Sequence, residues 1–284
     1  MSDSQAGAAS PHLDRQEQRQ AAAARPMGPL VIHEIVREQG EAELERSFSG
    51  LAWSGFAAGG SIGFSFVAQA TLQAGLPEAP WTKLVAAFGY AVGFLIVILG
   101  RQQLFTETTL TAIIPVLTRR DLSTFLRAMR VWAVVLGANL LATWIFAAIT
   151  VWGEVFPEPT MRAMATLSEH TMAHGFWHTA LTAGSAGWLI GLMVWLLPGA
   201  GPGRPWIIII LTYVIAICQF PHIIAGSVEA AFGVFSAQAS MSDYLLRFLL
   251  PTFIGNSVGG TILAALLNHA PIADELSGAG DDHQ

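Results

Sequence analysis

His222 stands where an ionisable side chain and a break in the chain coincide. Pro221 precedes it, Gly226 follows within one turn, and apolar residues run on both sides from 207 to 235. Proline offers no N–H and glycine tolerates unusual backbone, so a helix is expected to break here. An ionisable residue inside a membrane-deep apolar stretch marks a functional site by default. Histidine titrates near pH 6.5, so its chemistry would be to give or take a proton. A plainer role, capping loose backbone groups at the break, needs only its hydrogen bonds.

A second apolar stretch, 84–117, is interrupted at 100–107. This break supplies Thr106, Thr108 and Thr109 as hydroxyls that can bind a small anion or cap the half-helix that follows. Leu104 and Phe105 form an apolar plug beside them. Tyr90 and Phe94, one helical turn apart, share a face of the preceding half-helix and are placed to narrow the same path or to pack the core. His170, His174 and His178, spaced by four, put three imidazoles on one helical face, a geometry open to a metal ion but equally to a polar helix entrance. No cysteine accompanies them, and Glu169 is off their face. Glu107 and Glu229 are the acids nearest the two breaks. Glu229 lies two turns beyond His222 on its face, where a carboxyl taken out of water favours its neutral form.

The elements that position these residues are read from composition. Hydrophobic residues make up 53% of the chain and charged residues 12%, about half the charge of a soluble domain. Most charges lie in the tails and loops, so the net charge of −6 argues for no nucleic-acid partner. A single cysteine, Cys218, excludes an internal disulfide. No cleaved signal peptide is expected. Residues 1–28 read as a disordered tail, 29–48 as an amphipathic cytoplasmic helix, 49–270 as a transmembrane channel domain and 271–284 as a second tail. The expected fold is all-α, with six crossings at 51–75, 84–117, 126–152, 173–197, 205–235 and 245–267. Each half-segment beside a break is too short to span alone, so each broken stretch counts once. Tryptophans including Trp53, Trp81, Trp152 and Trp206 fall near span ends, as an interfacial belt requires.

Arg119, Arg120, Arg127 and Arg204 outnumber Lys83 and Arg162 in the alternate loops, which puts both termini in the cytoplasm. Each half contains a whole span, a broken span and a third span with an asparagine motif, Gly137-Ala-Asn139 and Gly255-Asn256-Ser. Three spans per repeat is an odd number, so the second half is inverted, a logic shared by pores and transporters. Rows of small residues, Gly55-Gly59-Gly63 and Gly255-Gly259, permit close helix contact. Non-helical backbone at membrane depth survives only where protein or a watery cavity receives it, and two such breaks imply a transport path between them.

Six spans, the Leu104-Phe105-Thr106 break, the Asn139 and Asn256 motifs and the Phe220-Pro221-His222 break together resemble the formate/nitrite transporter family over residues 30–272, in a less characterised branch. The resemblance implies an aquaporin-like inverted repeat, pentamers with one pore per protomer, and a bacterial inner-membrane location. It implies His222 as the central pore histidine and Thr106 as the threonine facing it. Tyr90, Phe94, Ile190 and Ile215 fall at the family's apolar constrictions. The sequence departs from the pattern at Gly187, where asparagine is common, at Thr171 in place of a vestibule lysine, and at Glu229 in place of an apolar residue. These departures bear on the substrate, not the fold.

The function expected is a channel or transporter, not an enzyme, for a small monovalent anion or its conjugate acid, in the lipid bilayer and without a cofactor. Moving a carboxylate into a dry interior costs several kcal/mol. Protonating an acid of pKa about 3.7 at pH 7 costs roughly 4.5 kcal/mol, at 1.36 kcal/mol per unit. The two are close, so a proton donor on the path favours passage as the neutral acid. His222 is the expected donor, with Thr106, Asn139 and Asn256 offering hydrogen bonds. The alternatives are a pore for a neutral solute or weak cation, suggested by Glu107, Glu229 and Thr171, and an intramembrane metalloenzyme built on the histidine row.

Overall fold

The computed structural model describes residues 12–23 and 26–266, and no strand occurs among them. The expected disorder of the C-terminal tail lies outside these residues, as does that of positions 1–11. Part of the N-terminal tail corrects the expectation: Arg15–Ala23 is a helix, α1. Asp14 Oδ1 accepts from the Gln16 and Glu17 N–H groups, and the Glu17 carboxylate reaches back to the Asp14 N–H. That reciprocal cap holds the first turn of a strongly polar sequence.

Helix α2, Pro29–Glu45, buries His33, Val36, Gly40 and Leu44 on one side. Gly40 is required there, because a Cβ would stand 2.0 Å from the Thr111 carbonyl oxygen. Glu41 pairs with Arg37 one turn back on the same helix and with Arg119, and the second pair ties the helix to the body. Burial acts to raise the Glu41 carboxyl, but the two arginines hold it below its ordinary value.

Among the described residues, five helices are long and apolar enough to cross a membrane: α3 (Phe48–Gly75), α4 (Thr82–Leu99), α7 (Leu122–Trp152), α9 (Phe176–Leu196) and Pro198–Ile217, whose α-helical part is α10 (Arg204–Ile217). Two short helices, α5 (Phe105–Thr111) and α6 (Ile113–Arg119), continue the first broken stretch. The second continues as α11 (Ile223–Phe235). The last expected crossing is helical from Met241 to Ala265 but changes winding. Its α-helical centre, α12 (Leu250–Ser257), lies between π-wound Tyr244–Leu249 and Val258–Ala265. An unexpected helix, α8 (Glu158–Thr171), precedes α9, so the fourth apolar helix starts at Phe176 rather than 173. Pro157-Glu158-Pro159 opens it, and it buries Ala163, Met164 and Ser168 at helical spacing against α3 and α11.

Large apolar side chains such as Trp53, Leu181, Ile149 and Leu126 are exposed on the outside, as a hydrocarbon solvent permits and water does not. The glycine rows work inside the chain. Gly55, Gly59 and Gly63 face Ala138, Asn139 and Phe146 of α7, and Gly255 and Gly259 face Ala180 and Gly184 of α9. These rows join α3 to α7 and α9 to α12, so they are not free faces for a second copy.

A methyl group at Gly59 would lie 2.4 Å from the Asn139 carbonyl oxygen, and one at Gly187 would lie 2.3 Å from that of Asn256, whereas Gly60 has open space. Gly59→Ala and Gly187→Ala should each cost about 1–3 kcal/mol through forced separation of backbones. Gly60→Ala should be neutral. Thermal unfolding in detergent, followed by size exclusion, checks this; equal melting of all three would sink the close-packing account.

Candidate functional site

The two breaks have the same backbone design. Arg101 (φ 51) and Gln219 (φ 54) are left-handed, turning the chain back on itself. Leu104 (φ −104, ψ 130) and His222 (φ −115, ψ 124) are then extended and stand as the N-caps of α5 and α11. An equivalent asparagine secures each turn. Asn139 Oδ1 accepts from the Phe105 N–H at 2.9 Å, and its Nδ2 donates to the Gly55 and Gln103 carbonyls at 2.6 and 3.0 Å. Asn256 Oδ1 accepts from the Ile223 N–H at 2.8 Å, and its Nδ2 donates to the Ala183 and Pro221 carbonyls at 2.8 and 2.9 Å. Both amides are fully buried with both donors engaged. The expectation that they offer hydrogen bonds to a solute is therefore corrected: they brace the broken backbone. Gly187, at which the resemblance leads one to expect asparagine, abuts Asn256 as Gly59 abuts Asn139 and has no room for one.

The starts of α5 and α11 meet at one contact. His222 Nε2 lies 2.8 Å from Thr106 Oγ1. On the other side of the ring, Nδ1 accepts from the Ile224 and Ala225 N–H groups at 3.3 and 3.2 Å. An imidazole nitrogen that accepts carries no hydrogen, so the proton is on Nε2 and points at Thr106. Thr109 in turn donates to the Thr106 carbonyl. His222 is thus both cap and lining. Taking a second proton on Nδ1 would cost it both cap bonds, which corrects the picture of a proton-releasing histidine: it donates a hydrogen bond and keeps its proton.

Aromatic rings close one side of this contact. Phe94 meets the His222 ring edge-on with centroids 5.0 Å apart, and Tyr90 lies 5.2 Å from Phe94. Ser65, which the sequence reading missed, fixes their backbone, donating to the Tyr90 carbonyl at 2.5 Å and accepting from the Gly93 N–H at 3.0 Å. A hydroxyl in the middle of an apolar span was the signal for it. Leu104, Ile190 and Ile215 are buried. Phe105 departs from the plug expected of it: its ring stacks on Phe253 and meets Trp132 edge-on, wedged between α7 and α12.

A cavity approaches from each end. One, of about 410 Å³, is lined by Glu43, Arg46, Gln103, Glu107, Thr111 and Arg204. Thr111 donates to Glu43 at 2.6 Å. Burial pushes the Glu43 carboxyl above its ordinary value, against the pull of Thr111, Gln103 and Arg46. The other, of about 100 Å³, reaches His222 itself past Tyr90, Ile215, Thr171 and Glu229. Phe94, Leu104, Thr106 and Ile190 line neither cavity.

The three histidines do not form one row. His170 is on α8, with Nδ1 2.7 Å from the Thr166 carbonyl oxygen, His174 lies in the turn at 172–175, and His178 is on α9. Only His174 and His178 adjoin, with ring centroids 4.1 Å apart. The 172–175 turn breaks the periodicity on which a three-imidazole face depends. Among the described residues no group of three or more His, Cys, Asp or Glu could hold a metal ion.

A family model described as formate/nitrite transporter matches residues 30–270. Inner membrane protein YfdC of Escherichia coli is 40% identical over 252 residues, 89% of this chain and 81% of that one. Formate channel FocA of Haemophilus influenzae is 27% identical over 239 residues, 74% of this chain and 82% of its own. Among solved structures, a pentameric formate channel with formate bound superposes with a TM-score of 0.64 at 21% identity, covering 81% of this chain and 96% of that one. An FNT family ion channel gives 0.68 at 17% identity, over 84% and 94%. At such identities the likeness is one of fold: an aquaporin-like, all-helical inverted repeat with a broken helix in each half.

Asn139→Leu would leave the Phe105 N–H and the Gln103 carbonyl without the amide, and Asn256→Leu the Ile223 N–H and the Pro221 carbonyl, at the centre of the protein. Each orphaned group costs about 1–3 kcal/mol. Either variant should therefore fail to assemble, seen as aggregation in fluorescence-detected size exclusion. A folded Leu variant that merely conducts less would return these residues to the pore lining.

Proposed function

This chain belongs to the formate/nitrite transporter family, and within it we propose a path for small monovalent anions of the formate and nitrite kind, or for their conjugate acids. It is a multi-pass inner-membrane protein. The observation that carries the substrate reading is the buried Thr106–His222 contact, which joins the two half-helix starts between two cavities. The N-terminal ends of α5 and α11 face this point, and the partial positive charge of their first turns favours negative charge there.

In this reading Tyr90, Phe94 and Ile215 narrow the path on the side of the smaller cavity. Leu104 and Ile190 narrow it toward the larger one. The aromatic and aliphatic walls strip water from the solute, and the hydroxyl hydrogen of Thr106, whose oxygen is held by the Nε2–H of His222, replaces one of the hydrogen bonds lost. Arg46, Arg119, Arg120 and Arg204 gather at the end where α2 packs. By the excess of basic residues that end is cytoplasmic, with both termini. The larger cavity is then the inner vestibule and the smaller one the outer. Five copies in a ring, each with its own path, is the assembly this reading takes over from the pentameric formate channel it resembles in fold.

The test is influx of labelled formate and nitrite into proteoliposomes holding wild type, His222→Asn and His222→Phe. Asparagine is a strong N-cap, so its amide oxygen can still receive the α11 N–H groups while the bond to Thr106 is lost. Influx through His222→Asn should fall about tenfold, the equivalent of one hydrogen bond, with assembly intact by native mass spectrometry. His222→Phe should close the path. An Asn variant conducting at the wild-type rate would leave His222 with a capping role alone.

A further inference from the structure

Passage as the neutral acid needs a proton source, and His222 is bound on both ring nitrogens. The outer cavity contains another candidate. Glu229 lines it with His222, Tyr90 and Thr171. The Thr171 hydroxyl has one hydrogen and stands in bonding reach of two oxygens, the Leu167 carbonyl at 3.1 Å and a carboxyl oxygen of Glu229. When Thr171 donates to Leu167, the hydrogen between Thr171 and Glu229 must come from the carboxyl. When Glu229 is ionised, the hydroxyl turns and donates to it. The pair thus has a good hydrogen-bonded arrangement in each protonation state, related by one rotation of a hydroxyl.

The charged and titratable neighbours agree with this. Tyr90 from α4, His170 from α8, His174 from the turn after it, and His222 line the same space. Tyr244, packed against α11, donates to or accepts from Ser227 rather than Glu229. No lysine or arginine borders this cavity, so no fixed cation holds the carboxylate form. The chain's single lysine, Lys83, lines an adjoining cavity further out, which shares Gln69, Leu167, His170 and Gln219 with this one. An anion drawn toward Lys83 therefore meets Glu229 before it meets the Phe94–His222 constriction.

We propose that Glu229, whose partner Thr171 serves it in either protonation state, is the residue that protonates an arriving monovalent carboxylate or oxyanion, so that the solute crosses the buried segment as its conjugate acid. The step balances: the O–H bond of the Glu229 carboxyl breaks, an O–H bond forms on an oxygen of the solute, and the negative charge moves from solute to Glu229. Thr171 then turns its hydroxyl to the carboxylate. A proton from outer water, by way of the His170 and His174 side of the cavity, restores the acid. One proton enters with each anion, and the Thr106 hydroxyl, held by His222, receives the neutral acid with a hydrogen bond alone.

This deepens the anion-path reading above and rests on it. The experiment places wild type, Glu229→Gln, Glu229→Asp, Thr171→Val and His222→Asn in proteoliposomes with a trapped pH indicator. Formate influx and proton influx are followed together from pH 5 to 8. Wild type should take up one proton per formate. Glu229→Gln keeps the shape but has no proton to give, so its influx should fall about a hundredfold and lose its pH response. Glu229→Asp should restore much of it, and Thr171→Val should shift the pH profile with little loss of maximal rate. His222→Asn, slower overall, should keep the wild-type profile and stoichiometry. Infrared spectra of the wild type should show a protonated carboxyl band that moves in Glu229→Asp and is lost in Glu229→Gln. Wild-type rate and proton stoichiometry in Glu229→Gln, or the absence of that band, overturns the assignment. A wild type that passes no anion at all removes the transport reading beneath it, while the infrared result still reports the state of Glu229.

Discussion

Every feature of this protein follows from the difficulty of interrupting a helix where no water can repair the backbone. Two breaks leave carbonyls and N–H groups unpaired at membrane depth, each worth several kcal/mol if left so. Asn139 and Asn256 answer this with identical three-bond patterns, one acceptor and two donors apiece. The amide is the one small side chain that carries both an acceptor and two hydrogens at one end. A leucine cannot do this, and an aspartate would place a charge there. The inverted repeat is visible as a repeated solution to one hydrogen-bonding problem.

That solution dictates the packing around it. For Asn139 to reach both Gly55 on α3 and Gln103 on the break, α3 and α7 must nearly touch, and Gly59 supplies the contact. The same holds for Asn256, Gly187 and the α9–α12 pair. Small residues in membrane helices are often read as sites where separate chains associate. Here they hold the brace at reach within one chain, so glycine spacing by itself says nothing about the ring of subunits.

Much of this was legible in the sequence because its signals were local. The breaks showed as polar runs in apolar stretches, Pro221 and Gly226 located the second of them, and Tyr90 and Phe94 shared a face by spacing alone. What failed depended on three dimensions. Residues 170–178 fit one helix by spacing, yet the chain ends a helix at Thr171 and starts another at Phe176. Nothing in a periodicity count marks that gap except Gly175. Helix α8 is too polar to read as a span and too short to stand out. Phe105 sits in the break by sequence, but its side chain leaves for the core, which only the backbone turn at Leu104 decides. The roles of Asn139 and Asn256 were reversed for a related reason: sequence shows that a polar group is buried, and partners alone show whether it has anything left to offer.

The same accounting of partners bears on how a solute is carried. A histidine that caps a helix through Nδ1 and bonds a threonine through Nε2 is rigid, oriented and fully bonded. Those properties suit a group that fixes the Thr106 hydroxyl in one orientation at the narrow point, and they oppose one that must alternate between protonation states. Moving a proton needs a side chain with two arrangements of nearly equal quality. Thr171 and Glu229 have that freedom because their hydrogen can be exchanged between neighbouring oxygens without loosening a helix. Recognition and proton supply are then separated by two helical turns of α11. The fixed group sits at the break, where backbone must be held, and the mobile one lies in the cavity, where water can reach it.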